Sequence, residues 1–383
     1  MPETAYIVDA VRTPMGRNGG QLSGVRSDDL LATCLNALVE RNGFDPLQVE
    51  DVVGGCVTQV QEQGMSTIRQ AVLAAGWPLE VPAVSLNRLC GSGQQAVAFA
   101  AMEIQSGHAD LAVGCGMESM SRVPMGSDVG AISKNLTKRY DVVPQGISAE
   151  LMAERWGITR AEIDQFSYDS HRKALHAQAE GRFDNEIVPV RILDDAGKVL
   201  HAITKDEGPR ADTTLAKMAG LRPVFKPDGI ISAGASSQLT DGAAAVLLAS
   251  KAKAQELGLK TRARIVAHAE IGVDPTLMLS GPIPATEKVL KKAGLTLDQI
   301  DLVEINEAFA SVVLAWQKQL GADISKVNVN GGAIALGHPL GCTGSKLFAT
   351  LLNELERQEL RYGLVTMCIG WGMGTATIIE RVS

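Results

Sequence analysis

The sequence predicts an α/β fold built twice, with a large insertion between the two copies. Three observations carry that expectation. Strand-like and helix-like segments alternate at both ends of the chain, which argues for an α/β fold with largely parallel strands. The two ends repeat each other's breaks. The middle, from about 119 to 239, follows neither pattern. At 383 residues the chain has room for two or three domains.

The elements justify this in order. Residues 30–53 read as a helix, a break at Asn42-Gly43-Phe44-Asp45-Pro46, then the strand Val49–Val53. Residues 286–305 repeat the scheme: a helix, Ala293-Gly294-Leu295-Thr296-Leu297, then the strand Ile300–Val303. In both, a glycine stops the helix and an aspartate (Asp51, Asp301) stands at the strand. A second pair follows. The strand Val81–Leu86 leads through Cys90-Gly91-Ser92-Gly93 into a helix to about Gln105. The strand Val327–Asn330 leads through His338-Pro339-Leu340-Gly341-Cys342-Thr343-Gly344 into a helix to about Gln358. Each helix runs on into a strand, Asp110–Val113 and Tyr362–Met367. Chance likeness of two α/β segments is the alternative, and several aligned breaks weigh against it. The expected division is an N-terminal half at 1–118 completed by 240–262, an insertion at 119–239, and a C-terminal half at 263–383. The insertion carries charged helices at Ala149–Trp156 and Arg160–Glu180. It is too long for a plain loop, so it reads as a substrate-covering subdomain.

Composition excludes several classes. Apolar residues at 45% and charged residues at 21% exclude a disordered chain. A net charge of −7 without a basic tract argues against a nucleic-acid partner. Six cysteines and six histidines show no Cys-x-x-Cys or His-x-x-x-His pair, so neither a metal site nor a disulfide framework is expected. The start, Met1 to Asp9, has no long apolar run, the C-terminal Glu380–Ser383 has no address motif, and no segment is long enough to span a membrane. A reduced, soluble, cytoplasmic protein is the expectation.

Three glycine-framed sites carry chemistry. Cys90 lies at a strand-to-helix junction with Gly91 and Gly93 after it. A helix N-terminus offers free N–H groups and a positive partial charge, which favour thiolate. The bland alternative is a buried structural cysteine. His338, between Gly337 and Pro339, sits in a tight turn and projects from the end of an element. A neutral imidazole there can take a thiol proton. Cys368 ends a strand before Gly370, Trp371 and Gly372, and a second thiol allows one nucleophile and one acid/base. Cys115 and Cys342 compete for that role, though packing suits them better. The fourth site, Glu304-Ile305-Asn306-Glu307-Ala308-Phe309, ends a strand and opens a helix. Asn306 can hold a water. Glu307 can orient His338 or complement a helix dipole, and a plain capping pair is the alternative.

Taken in order, the blocks around Cys90, Asn306-Glu307-Ala308-Phe309, Gly337-His338-Pro339 and Cys368-x-Gly resemble the thiolase family. So do Gly281-Pro282-Ile283-Pro284 and Asp241-Gly242-Ala243-Ala244-Ala245, and the likeness covers essentially the whole chain. Gly55-Cys56-Val57-Thr58-Gln59 and Ser236-Ser237-Gln238 are most similar to bacterial degradative thiolases, some acting on steroid-derived thioesters. The resemblance implies a duplicated five-layer αβαβα fold with an inserted loop domain. It implies cleavage of a 3-ketoacyl-CoA by coenzyme A, with coenzyme A as substrate and no prosthetic group. It implies a homodimer or homotetramer whose partners are CoA and acyl-CoA thioesters. Carried over by position, Cys90 is the nucleophile, His338 deprotonates it, and Cys368 is the acid/base for acetyl-CoA and incoming CoA. Asn306 holds a water that forms one oxyanion hole with His338, and the N–H groups of Cys90 and Gly370 form the other. For CoA, Ser237 and Gly234 match the pantetheine turn. Arg210 and Phe225 match positions near the nucleotide, and Met278 and Phe309 match pocket walls.

The chain departs from the family in three places. Trp371 replaces a glycine after the second cysteine, so its indole either reshapes the acyl pocket or points away. Ala235 stands where an asparagine is usual, and Pro144-Gln145 where short-chain members have His-Met. These weigh against a short-chain biosynthetic acetoacetyl-CoA-forming acetyltransferase. A ketoacyl synthase-like condensing enzyme would carry a histidine where Cys368 stands. A non-catalytic acyl carrier would have lost Cys90 or His338.

Overall fold

The computed structural model describes residues 3–194 and 196–382. Met1, Pro2 and Ser383, named above at the two ends, and Asp195 of the insertion lie outside the described residues. The chain opens with strands β1 (Tyr6–Arg12) and β2 (Gly16–Arg17), then α1 (Ser27–Asn42), β3 (Asp51–Gly55), α2 (Thr67–Ala74), β4 (Ala83–Leu86), α3 (Ser92–Ser106) and β5 (Leu111–Ser119). The middle holds α4 (Lys134–Thr137), α5 (Gln145–Arg155), α6 (Arg160–Ala179), the pair β6 (Val190–Leu193) and β7 (Val199–Ile203), and α7 (Leu215–Ala219). The chain returns through β8 (Thr240–Ala249) and α8 (Lys251–Glu256). The second half comprises β9 (Ala263–Gly272), α9 (Pro282–Ala293), β10 (Leu302–Ile305), α10 (Ala310–Leu320), α11 (Ala333–Leu336), α12 (Thr343–Arg357), β11 (Tyr362–Ile369) and β12 (Met373–Arg381).

The aligned breaks have one local cause. α1 ends on Gly43 at φ 69° and α9 on Gly294 at φ 67°, a left-handed stop that glycine adopts without Cβ strain. A short 3₁₀ turn follows each, Pro46–Gln48 and Leu297–Gln299, before β3 and β10. The sheet order is β4-β3-β5-β8-β1 in the first half and β9-β12-β11-β10 in the second, joined where β1 meets β9. Strand side chains alternate between two cores, as a period of two requires. Ala243, Ala245 and Leu247 of β8 pack toward α1 and α2, while Val246 and Leu248 face α3 and α12. Leu364 and Cys368 of β11 face α9 and α10, while Val365 and Met367 face the middle. The layers are therefore α1 and α2, a sheet, α3 with α12, a sheet, and α9 with α10.

The sheet is mixed rather than largely parallel. Only β3–β4, β3–β5 and β10–β11 run parallel among the named strands. Strands β5 and β8, like β11 and β12, pair without a crossover helix packed on the sheet, which permits antiparallel pairing. Where β1 meets β9, a two-fold relation through the sheet reverses strand direction. The strand expected at Val327–Asn330 reduces to one bridge, Val303 with Val327. Asn328 then turns left-handed at φ 43°, and its side-chain amide pairs with both the N–H and the C=O of Ile305 at 2.9 Å. The side chain thus stands in for a strand backbone. Ser119 and Asp241 pair at the point where the chain leaves for the long middle segment and returns, and α5 and α6 pack on α10. No helix among the described residues is long and apolar enough to cross a membrane.

Candidate active site

The N-termini of α3 and α12 cross in the central layer. A Cβ at Gly93 would sit 2.6 Å from the Gly341 carbonyl, and Ser345 Oγ donates to Gly93 C=O at 3.1 Å. The turns before these helices carry Cys90 and His338, both buried.

Cys90 follows Leu89, held at φ 48°. The N–H groups of Gly370 and of Cys90 itself, with the Gln145 side chain, face its sulfur and favour thiolate. Burial outweighs them and pushes the thiol up to about 11. The expectation of a lowered thiol pKa from the helix end therefore fails at rest, because a local dipole argument omits desolvation. Burial, and then the nearby Cys90, also push the Cys368 thiol up, so the two sulfurs are neighbours. Cys115 is buried in the packing of the first half, and Cys342, the residue before Thr343, is buried with Met15 and Ala244.

The imidazole is fixed by Thr343. The Thr343 hydroxyl donates to the Pro339 carbonyl at 2.9 Å, so it accepts from His338 Nδ1 at 2.5 Å. This hydrogen-bond pattern assigns the proton to Nδ1 and leaves Nε2 as the unprotonated acceptor facing Asn306. Asn306 Nδ2 lies 3.3 Å from Nε2. Burial, and then the charge of Lys346, lower the imidazole to about 3, so it is neutral near pH 7. Asn306 Oδ1 is buried without a partner among the described residues, an acceptor suited to a water.

Glu307 neither orients His338 nor opens α10, whose N-cap is Phe309. It accepts from Ser170 Oγ at 2.7 Å, Asn328 Nδ2 at 2.9 Å and the Ile334 N–H at 3.1 Å. These bonds brace the segments carrying Asn306 and His338. The Gln238 carbonyl accepts the His338 N–H at 3.0 Å, tying the 234–238 turn to the same place.

Cys90 opens onto a cavity of about 770 Å³. Its walls include Val57, Leu89, Met278, Leu340, Gly370 and Trp371, with an outer wall from 125–145. Leu89, Met278 and Trp371 have positive φ values of 48°, 45° and 63°, so three strained residues ring the cavity. Trp371 faces it and is 42% exposed.

The residues matched to CoA contacts separate. Arg210 and Gly234 line a second pocket of about 240 Å³ with His171, Lys217 and Gln238. Phe225 packs edge-to-face on Phe309 with centroids 5.7 Å apart. Met278 belongs to the main cavity. Ser237 donates its N–H to Ala308 at 3.0 Å, beside Phe309.

Sequence reasoning missed Thr343 and Glu118, and it treated Gln145 only as a departure. A hydroxyl five residues after His338, at the start of a helix, was the available signal for Thr343. A lone acid in the apolar run 111–119 was the signal for Glu118.

Known proteins share this architecture. Residues 5–252 match the thiolase N-terminal domain model, and residues 259–381 match the thiolase C-terminal domain model. The chain is 47% identical over 391 residues to the steroid 3-ketoacyl-CoA thiolase FadA6 of Mycobacterium tuberculosis, covering 99% of this chain and 94% of that one. It is 47% identical over 399 residues to a beta-ketoadipyl-CoA thiolase of Acinetobacter baylyi, covering 99% of each. The crystal structure of the Bacillus anthracis acetyl-CoA acetyltransferase superposes with a TM-score of 0.92 at 41% identity, covering 100% of this chain and 99% of that one. With both halves, their junction and the length of the whole chain accounted for, the protein belongs to the thiolase family of acyltransferases.

Proposed function

We propose that this enzyme cleaves a 3-ketoacyl-CoA with CoA, giving acetyl-CoA and a shortened acyl-CoA through an acyl thioester on Cys90. The observation that supports it best is the meeting of two thiols and the Gly370 N–H, beside the turn that carries a neutral imidazole, at the crossing of α3 and α12. His338 Nε2 takes the Cys90 proton, and the thiolate attacks the 3-keto carbon. The new oxyanion faces the N–H groups of Cys90 and Gly370. Its collapse breaks the C2–C3 bond, and the electron pair leaves on acetyl-CoA as an enolate. Cys368 protonates that enolate, while His338, now carrying a proton on Nε2, and a water on Asn306 hold its oxygen. The Cys368 thiolate then deprotonates incoming CoA, which attacks the acyl-Cys90 carbonyl and frees Cys90. At rest burial keeps Cys90 a thiol and His338 a neutral imidazole, so the transfer is uphill until the new oxyanion is held by the N–H groups of Cys90 and Gly370. The reverse, acetoacetyl-forming reaction uses the same groups.

We read 119–239 as an inserted unit that covers CoA. The cytoplasm is the proposed compartment and a homodimer or homotetramer the proposed assembly, with coenzyme A as substrate and no prosthetic group. Ser237, Gly234, Arg210, Phe225, Met278 and Phe309 are the proposed CoA and pocket contacts.

The acyl group is a bulky, neutral, apolar one. Among the described residues no Lys, Arg or His lines the main cavity, and its one charged wall residue is Asp128. An acyl chain ending in a carboxylate, as in the name beta-ketoadipyl-CoA, would be desolvated there beside a like charge. A thiolysis screen tests this. Ring-bearing and long neutral 3-ketoacyl-CoAs are expected to exceed carboxylate-ended ones by roughly 100-fold in kcat/KM. Equal or higher kcat/KM for the carboxylate substrates would refute it. An acyl mass on the Cys90 peptide after incubation with acyl-CoA alone tests the covalent step.

A further inference from the structure

We propose that Glu118 is a positioning residue that fixes the nucleophile turn of the first half against the base turn of the second. The inference rests on the reading of Cys90 as nucleophile and His338 as base, and goes beyond it. Glu118 stands near the end of β5 with no exposed surface. Its Oε2 accepts from the Val57 N–H and the Gly341 N–H, both at 2.9 Å. Its Oε1 accepts from the Thr58 N–H at 3.0 Å and from Gln63 Nε2 at 2.8 Å. Four N–H donors thus occupy its acceptor sites, and among the described residues it pairs with no cation. A buried carboxylate so held is costly to desolvate and is stabilised only while all four donors stay in place. Gln63 cannot turn its amide to relax the arrangement, since its Oε1 accepts the Ser119 N–H at 2.7 Å.

Both branches lead to the reacting groups. On one side, the Val57 carbonyl accepts from Asn87 Nδ2 at 2.8 Å, and Asn87 Oδ1 accepts the Leu89 N–H at 2.8 Å. Leu89 is the left-handed residue directly before Cys90. On the other side, Gly341 lies three residues after His338 and two before Thr343, which holds the imidazole. Gly341 is wedged in the first half: a Cβ there would sit 2.6 Å from the Met117 carbonyl and 2.7 Å from the Gly55 carbonyl. The carboxylate therefore ties the nucleophile turn to Gly341, which lies 223 positions after Glu118 itself. Proton transfer from Cys90 to His338 depends steeply on their spacing, so loosening this tie slows acylation without changing how CoA is held.

The test is a double-mutant cycle of Glu118→Gln and Asn87→Ala, read by stopped-flow acylation of Cys90 and by steady-state thiolysis well below the melting temperature. Glu118→Gln places an NH₂ against N–H donors on one face of the tie. It is expected to lower kcat and the acylation rate roughly 30- to 100-fold, with KM for CoA within about twofold. Asn87→Ala cuts the branch to Leu89 and is expected to lower kcat roughly 10-fold. The double variant should be no slower than Glu118→Gln alone, because both changes break one relay. Wild-type kcat per folded Glu118→Gln molecule would overturn the proposal, and so would fully multiplicative losses. If Glu118→Gln fails to fold, Asn87→Ala decides alone, and an unchanged acylation rate overturns the proposal. Cys90→Ala separates the two levels. Turnover retained in Cys90→Ala refutes the reading of the site, whereas an inactive Cys90→Ala beside a fully active Glu118→Gln refutes only the tie.

Discussion

The two halves share a strand order but spend their connections differently. In the first half, β4 passes to α3 through five residues, 87–91, which deliver one reacting group, Cys90. In the second, the equivalent path from Val327 to α12 occupies 328–342, includes α11 and delivers His338. The outgoing strands differ in the opposite sense. Strand β11 turns into β12 through Gly370, Trp371 and Gly372, whereas β5 reaches β8 only after residues 120–239. In the proposed mechanism the first half therefore presents the nucleophile on a short, strained turn. On the same proposal the second half supplies the base, the second thiol, Asn306 and the Gly370 N–H from three loops at one sheet end, while the other oxyanion donor is the N–H of Cys90 itself. Duplication supplies two equivalent helix N-termini that cross, and the chemistry comes from loading them unequally.

The sharpest way to break this division is Cys90→Ala. Turnover is expected to fall at least about 10⁴-fold, measured by thiolysis, since the proposed acyl-enzyme forms on Cys90. His338→Ala attacks the other half. It should lower the acylation rate by roughly 10³-fold while leaving KM for CoA within a few-fold, because general base catalysis contributes on that order. Thr343→Val is the finer probe. It removes the acceptor that keeps the proton on Nδ1, so roughly 10- to 100-fold loss in kcat is expected, with Thr343→Ser restoring most of it.

Trp371→Gly tests the short β11–β12 turn. The non-glycine residue at φ 63° is strained by about 1 kcal/mol, so stability should change by no more than about that amount. The acyl-length profile, in contrast, should broaden, measured as relative kcat/KM across chain lengths. The last prediction concerns pH and reads stability rather than turnover. The unfolded imidazole protonates near 6.5 and the folded His338 near 3, so the unfolded state binds more protons between them. Stability is expected to fall as pH drops from 6.5 toward 3. His338→Ala should flatten part of that slope in urea titrations, leaving the part due to His171, which burial lowers to about 4.

Much of this arrangement was readable from local signals. Glycines at 43 and 294 mark equivalent stops because only the left-handed conformation ends those helices as they end. Cys90, His338 and Cys368 were marked by glycines that let backbones approach closely. Strand direction was not readable, since a period of two is the same for parallel and antiparallel neighbours. Val327–Asn330 has the composition of a strand, yet Asn328 replaces backbone pairing with its amide, which composition does not reveal. The thiol of Cys90 illustrates a different limit. Its helix end is a local feature, but the burial that dominates it is collective. Glu118 and Gly341 meet across the two halves, and no windowed pattern links positions so far apart.

The wedge at Gly341 also limits how this molecule can be recombined. It meets Gly55 and Met117 backbone to backbone, and Gly93 meets the Gly341 carbonyl in the same way. No rotamer is available at such contacts to absorb a mismatch of even half an ångström. A chimera that takes its C-terminal half from another member of the family must therefore import the matching segments around 55–58, 93 and 116–118 as well. The inheritable module is the crossing of the two helix ends, not either half.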